Sequence, residues 1–192
     1  MNGFLNLYKP KGVSSAYVLN AVKRALKGET VGHMGTLDPL ASGVLPVAIG
    51  KSTRLFDYLL DKKKEYVATI AFGYSTDTYD LEGKIVERSA VLPNEETVKE
   101  ACMKLVGEIM QIPPAFSAKC VNGKRSYELA RKGQAVELPP KKVLIYSIDV
   151  LEKVSAEEYR IKIVCGGGTY IRSIARDIGI LCGSCATMTA LE

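Results

Sequence analysis

Apolar positions along the chain recur with two periods. Between Ser14 and Lys27, Val18, Leu19, Val22 and Leu26 return at helical spacing; the pattern predicts a helix that Ser14 or Ser15 caps and Gly28 ends. A second helix is predicted after Pro93. Asn94 stands as its cap, Glu95 and Glu96 occupy the first turn where the helix dipole favours acids, and Val98, Ala101, Leu105 and Val106 form the apolar stripe. Ser126 to Lys132 reads as a short third helix stopped by Gly133. Thr169 to Ile178 reads as a fourth, with Ile171, Ile174, Ala175 and Ile178 on one face and Gly179 after it. The other period is two. In EYVATIAF, Tyr66, Ala68, Ile70 and Phe72 share a face; in YRIKIVC, Tyr159, Ile161, Ile163 and Cys165 do so opposite Arg160 and Lys162. VLIYSIDVLE and the opening GFLNLY predict two further strands.

Strict alternation describes sheets with one wet face, hence largely antiparallel pairing, and helices scattered between such strands predict an α+β fold. No internal repeat, low-complexity tract or linker divides residues 1–192, so one domain is expected. Composition changes little: 47% hydrophobic and 24% charged residues are ordinary for a globular chain. Apolar runs such as VLPVAIG are too short to span a bilayer, and MNGFLNLYKPKG lacks the apolar core of a signal peptide. The expectation is a cytoplasmic protein without a membrane partner. Five cysteines, at 102, 120, 165, 182 and 185, do not form a disulfide framework, and the single CxxC at Cys182 and Cys185 reads as two reduced thiols near a helix end.

Charge says more through its distribution than its sum. The net +5 comes from 26 basic and 21 acidic residues. Lys9, Lys11, Lys23, Arg24 and Lys27 lie near the start, and Lys62, Lys63 and Lys64 precede a strand. Lys119, Lys124, Arg125, Arg131 and Lys132 cluster in one segment, and Lys141 and Lys142 follow two prolines. Short basic runs beside turns and element ends fit a surface that tracks a nucleic-acid backbone.

Candidate chemistry centres on VGHMGTLDPLASGVLP, residues 31–46. It contains His33, the only histidine, and Asp38 before Pro39, which biases the aspartate towards extended backbone. A carboxylate on a stiff, glycine-rich loop with no metal ligands around it serves as a nucleophile or a general base. His33 is too isolated to specify a triad, and GGGT at 166–169 lacks the Lys-Ser/Thr of a phosphate loop. A buried carboxylate stays ionised only beside a cation. Arg172, in the first turn of the fourth predicted helix, offers a fork for Asp38 or equally for a phosphate.

These residues resemble a family. GHMGTLDPLASGVLP, with KPKGVSS before it and KEYVATIAFGYSTDTYDLEG after it, is similar to the TruB-type tRNA pseudouridine-55 synthases; so are QIPPAFSAKCVNGKRSYELARKG and GGGTYIRSIARDIG, in family order from about residue 3 to 191. The resemblance implies the pseudouridine synthase fold, a mixed and mainly antiparallel sheet flanked by helices around a basic cleft. It implies a reaction in which the N1–C1′ bond of a T-loop uridine breaks, the base turns and C5 replaces N1, with no metal, nucleotide or organic cofactor. Asp38 matches the catalytic aspartate. Tyr66 would lie against a base flipped out of the loop, and Arg172 would pair with Asp38. His33 would fill the place of the base or stack on its neighbours, Tyr170 and Leu191 would line the pocket, and Lys9 and Pro10 would support the active-site loop. The implied partner is the T arm of tRNA, bound by a monomer.

Two departures from the family pattern stand out. Ser117-Ala118-Lys119-Cys120 places Cys120 where the family has a lysine. After Leu191 the family continues with two arginines, a strand and commonly an RNA-binding domain, whereas Glu192 ends this sequence, so a catalytic part without that domain is expected. The alternatives are an RNA-guided relative, a catalytically inert RNA-binding module and a base-releasing glycosidase; the last normally needs two carboxylates.

Overall fold

In the computed structural model, residues 1–56, 58, 62–117, 119–121, 124–134 and 138–192 are described, with backbone alone at Cys120, Val121, Lys124, Arg125, Glu128 and Arg131. The Cys120 thiol and the basic side chains at 124, 125 and 131 therefore lie outside the described residues, as does Ala118 of the Ser-Ala pair. Two compact units emerge, Met1–Lys63 with Ala190–Glu192, and Lys64–Thr189.

The first unit is built on β1 (Gly3–Lys9), α1 (Ser15–Ala25), β2 (Val31–His33) and β3 (Gly43–Ile49). The sheet order is β1-β3-β2, all antiparallel, and β1 runs against β3 from the pair Gly3 and Ile49 to the pair Lys9 and Gly43. The Ser14 hydroxyl caps α1 by accepting the Tyr17 N–H at 3.1 Å. Leu19 of α1 is buried with Val31, Leu45 and Val47 of the strands, and Leu7, Val18 and Val22 pack around them. The helix stops at Ala25 with Leu26 as its cap; Gly28, at φ +83°, turns the chain just beyond the predicted end. Neither β2 nor β3 was predicted. Pro46 sits inside the central strand opposite Asn6, a place proline usually avoids, and its carbonyl accepts the Met34 N–H at 2.7 Å.

The second unit contains β4 (Lys64–Phe72), β5 (Tyr74–Thr76), β6 (Ile85–Arg88), α2 (Glu95–Lys104), β7 (Gly107–Gln111), β8 (Cys120–Val121), β9 (Lys124–Arg125), α3 (Ser126–Arg131), β10 (Lys141–Lys153), β11 (Glu158–Cys165), α4 (Ile171–Leu181) and all but the last two residues of β12 (Ala186–Leu191). Its main sheet has the order β12-β4-β11-β10-β7; β4, β11, β10 and β7 pair antiparallel, and β5 and β6 form a separate hairpin. The alternation read from the sequence is real. Ala68, Ile70 and Phe72 of β4 and Tyr159, Ile161 and Ile163 of β11 are buried, together with Ile174 and Ile178 of α4. Phe72 and Tyr159 meet edge to face at 5.8 Å, and the Tyr159 hydroxyl donates to Pro93 O at 3.0 Å. The opposite face is wet and carries cross-strand ion pairs, Lys162 to Glu65 at 3.0 Å and Lys142 to Glu108 at 2.7 Å.

Two expectations need correction. Val106 is exposed, because α2 ends at Lys104 and Val106 lies beyond it in the turn before β7. Gly179 does not stop α4, which runs to Leu181. A Cβ at Gly179 would lie 2.7 Å from the Ala186 N atom and 2.8 Å from its Cβ, so the glycine permits the backbone that opens β12 to lie directly against the helix.

Candidate active site

The stretch read as a catalytic loop is the connection between β2 and β3, two strands paired in one sheet. Asp38 lies in it, half-buried, and the backbone on both sides is held. On the N-terminal side, the Ser15 hydroxyl accepts the Leu37 N–H and donates to the Leu37 carbonyl, both at 2.9 Å. On the C-terminal side, the Pro39 carbonyl accepts the Gly12 N–H at 2.7 Å and lies 3.5 Å from the buried Lys9 ammonium. Lys9 also donates to Pro10 O at 3.0 Å and Val13 O at 2.7 Å, so its charge is spread over carbonyls that define the neighbouring turn. The Ala41 N–H returns to Asp38 O at 3.0 Å, and the Ser42 N–H donates to Leu191 O at 2.9 Å. A carboxylate with both adjoining peptides fixed loses little conformational freedom when it meets a reacting atom. His33 ends β2, half-buried, with Nδ1 2.6 Å from Gly35 O; a carbonyl only accepts, so Nδ1 carries the hydrogen. The first unit thus brings Lys9, Pro10, Asp38 and Leu191 around one loop, with His33 at its start.

The second unit holds Tyr66, Tyr170 and Arg172. Tyr66 is half-buried on β4 opposite Ile163, at the end of the face that Ala68, Ile70 and Phe72 bury. Arg172 is buried in the first turn of α4, where the helix dipole is unfavourable to a cation. Acceptors on three sides compensate it. Nη1 donates to Thr78 O at 3.1 Å, Nη2 donates to Phe116 O at 3.0 Å, and Asp80 Oδ2 lies 3.4 Å from Nη1. Asp80 is itself buried and fixed: Oδ1 accepts the Thr78 hydroxyl at 2.6 Å and the Glu82 N–H at 3.0 Å. The turn leaves no room beside this pair. A Cβ at Gly83 would lie 2.3 Å from both Asp77 Oδ1 and Thr78 Oγ1. Tyr170 precedes α4 and is half-buried; its backbone N–H and carbonyl are both bonded to the Gln111 side chain.

Asp80 and Gln111 escaped the sequence reading. Asp80 lay within the quoted TDTYDLEG, where two threonines and a glycine around an acid signal a turn, but nothing local connects it to an arginine 92 positions later. Cys182 and Cys185 are buried, and burial raises both thiols, Cys182 to about 11. Among the described residues no group of three or more His, Cys, Asp and Glu is placed to hold a metal ion.

Residues 23–171 match the N-terminal domain of the TruB family pseudouridylate synthases. tRNA pseudouridine synthase B of Clostridium kluyveri is 46% identical over 179 residues, covering 93% of this chain and 62% of the relative. The protein of the same name from Acaryochloris marina is 48% identical over 194 residues, covering 100% and 67%. The chain thus spans about two thirds of the length of these relatives. Among solved structures, the crystal structure of a Cbf5-Nop10-Gar1 complex matches at a TM-score of 0.73 and 32% identity, over 98% of this chain and 47% of that one. An H/ACA RNP bound to a substrate RNA containing 2′-deoxyuridine matches at 0.70 and 30%, over 98% and 45%. The fold is that of the pseudouridine synthases. The chain belongs to the TruB family.

Proposed function

We propose that the protein isomerises uridine to pseudouridine at position 55 in the T loop of tRNA. The observation that carries this reading is Asp38, the carboxylate of the family's motif, on a loop whose adjoining peptides are clamped by Ser15, Gly12 and Lys9. In the reaction the N1–C1′ bond breaks, the base turns within the site, C5 bonds to C1′, C5 loses its proton and N1 gains one. Nothing is oxidised and no water is consumed, so the chemistry calls for no cofactor or metal. Asp38 acts on the sugar, by attack at C1′ or by removal of a sugar proton. Extruding the uridine costs a few kcal/mol of stacking, and the Tyr66 ring offsets about 1–3 kcal/mol by lying against the base.

Arg172 pairs with Asp38 and keeps it ionised. Its fixed partners support this role, since a guanidinium already held by Thr78, Phe116 and Asp80 presents its remaining surface in one orientation. Tyr170 and Leu191 line the base pocket, His33 stacks in the loop, and Lys9 and Pro10 brace the Asp38 turn. Residues 1–192 are read as one catalytic domain, a cytoplasmic monomer that takes the T arm along its basic runs. Identity of 44–48% to tRNA pseudouridine synthases B, against 30–32% to the H/ACA RNP and the Cbf5-Nop10-Gar1 complex, favours a tRNA substrate over a guided one. The test is to treat an unmodified tRNA transcript with the protein and map pseudouridine by carbodiimide adduct and primer extension. A stop at position 55 supports the reading; adducts elsewhere or none contradict it.

A further inference from the structure

Gln111 ends β7 and is 1% exposed, yet it carries an amide, a group that is costly to bury unless both ends are bonded. Both ends are bonded to one residue. Oε1 accepts the Tyr170 N–H at 2.9 Å and Nε2 donates to the Tyr170 carbonyl at 3.2 Å. Tyr170 is the N-cap of α4, with φ −100° and ψ 111°, and its own side chain makes no capping bond. In a capping box the N-cap N–H is held by the side chain three residues into the helix. Here that residue is Ser173, whose hydroxyl donates instead to Ile112 O at 2.8 Å. The cap is therefore supplied from another element, 59 positions away.

The contacts continue along the helix. Ile112 O also accepts from Arg176 Nη1 at 3.2 Å, and Phe116 O accepts from Arg172 Nη2 at 3.0 Å. The first turn and a half of α4 is thus laid onto the chain that follows β7, and Gln111 fixes where that contact begins. A hydrophobic residue of similar size would fill the same space without directing anything. A glutamate would keep the acceptor for Tyr170 N–H and set a second acceptor against the Tyr170 carbonyl.

We propose that Gln111 is a positioning residue: by holding both the N–H and the carbonyl of Tyr170 it fixes the direction of the Tyr170 ring and the start of the helix that carries Arg172. What Tyr170 and Arg172 then do rests on the proposed pseudouridine synthase reading. A residue of this kind acts on the chemical step and leaves substrate affinity nearly unchanged.

The experiment uses the full 192-residue chain as wild type, Gln111→Met and Gln111→Glu. It records melting temperature, amide exchange at Tyr170, affinity for a T-arm hairpin, and single-turnover rate at saturating protein per folded molecule. For Gln111→Met we expect Tyr170 amide exchange to speed up by at least about tenfold and the rate to fall by at least about tenfold, with affinity within about threefold. Gln111→Glu keeps protection at the Tyr170 N–H but loses rate, because the donor is replaced by an acceptor that repels the Tyr170 carbonyl; it decides the matter where Gln111→Met does not fold. An active wild type with an unchanged rate in the variants, whatever the melting temperature does, overturns the inference and leaves the functional reading standing. Failure of both variants to fold also overturns it, since Gln111 would then be a determinant of folding. A wild type with no turnover overturns the functional reading, and the inference with it.

Discussion

Arg172, proposed as a site residue, has its geometry set by groups from distant parts of the chain. Its guanidinium is buried in the first turn of a helix, and the two peptide oxygens and the carboxylate around it come from three separate positions, Thr78, Phe116 and Asp80. A planar fork can serve acceptors lying in different directions in one plane; an ammonium on a shorter stem cannot. Arg172→Lys should therefore cost at least about 2–3 kcal/mol of transition-state stabilisation, roughly a hundredfold in rate, although the charge is kept. Single-turnover measurement on a T-arm hairpin checks this, and a lysine variant within about threefold of wild type would mean that charge alone suffices. Asp80 is the counterpart. The Thr78 hydroxyl and the Glu82 N–H hold one of its oxygens and Arg172 faces the other, so its orientation is fixed before any substrate arrives.

At the scale of elements, Gly179 gives the sharpest test of packing. Its missing Cβ lets the start of β12 lie against α4, with Ala186 N only 2.7 Å from where the Cβ would be. The obstructing atoms are two backbone atoms, Ala186 N and Cys185 C, and the Ala186 Cβ fixed to that backbone, and none can swing aside. Gly179→Ala should destabilise the protein by about 1–3 kcal/mol in spite of alanine's better helix propensity, read as a lower urea midpoint; a gain in stability would show that the contact yields. This position also shows where sequence legibility ends. Gly179 at the end of an apolar stripe looks like a stop, because a terminating glycine and a glycine that admits a neighbouring backbone leave the same local trace. The long strands were legible, since β4 and β11 alternate buried and more exposed positions until their ends, where Ala71 and Val164 are buried on the second face as well. β2 was not, having three residues between glycines and turns, and β3 was hidden by Pro46. The candidate site divided in the same way. Asp38 and its loop were readable from a local motif, whereas Asp80 and Gln111 matter through partners 92 and 59 positions away, and no periodicity reports such a distance.

For the molecule as a whole, buried thiols make stability fall on the alkaline side. Burial raises Cys102 to about 12, with lesser contributions from Cys182 and Asp149, and raises Cys182 to about 11; both start from 9.0. Below pH 9 both states hold these protons, so the stabilisation is fully present. Above it the unfolded thiols ionise while the folded ones do not, and stability declines by roughly 1.4 kcal/mol per pH unit for each thiol until the folded values are passed. Cys102→Ala should accordingly lose less stability than wild type between pH 8 and pH 10 in urea titrations, and equal losses would contradict the assignment. The proposed function rests on Asp38 breaking and remaking the glycosidic bond of a T-loop uridine. Tritium release from C5-labelled uridine in a T-arm hairpin measures this most directly. We expect release by the wild type and none by Asp38→Asn, with hairpin affinity of the two within about tenfold, roughly 1.4 kcal/mol. Release by a sequence-verified Asp38→Asn preparation, or none by the wild type, would contradict it.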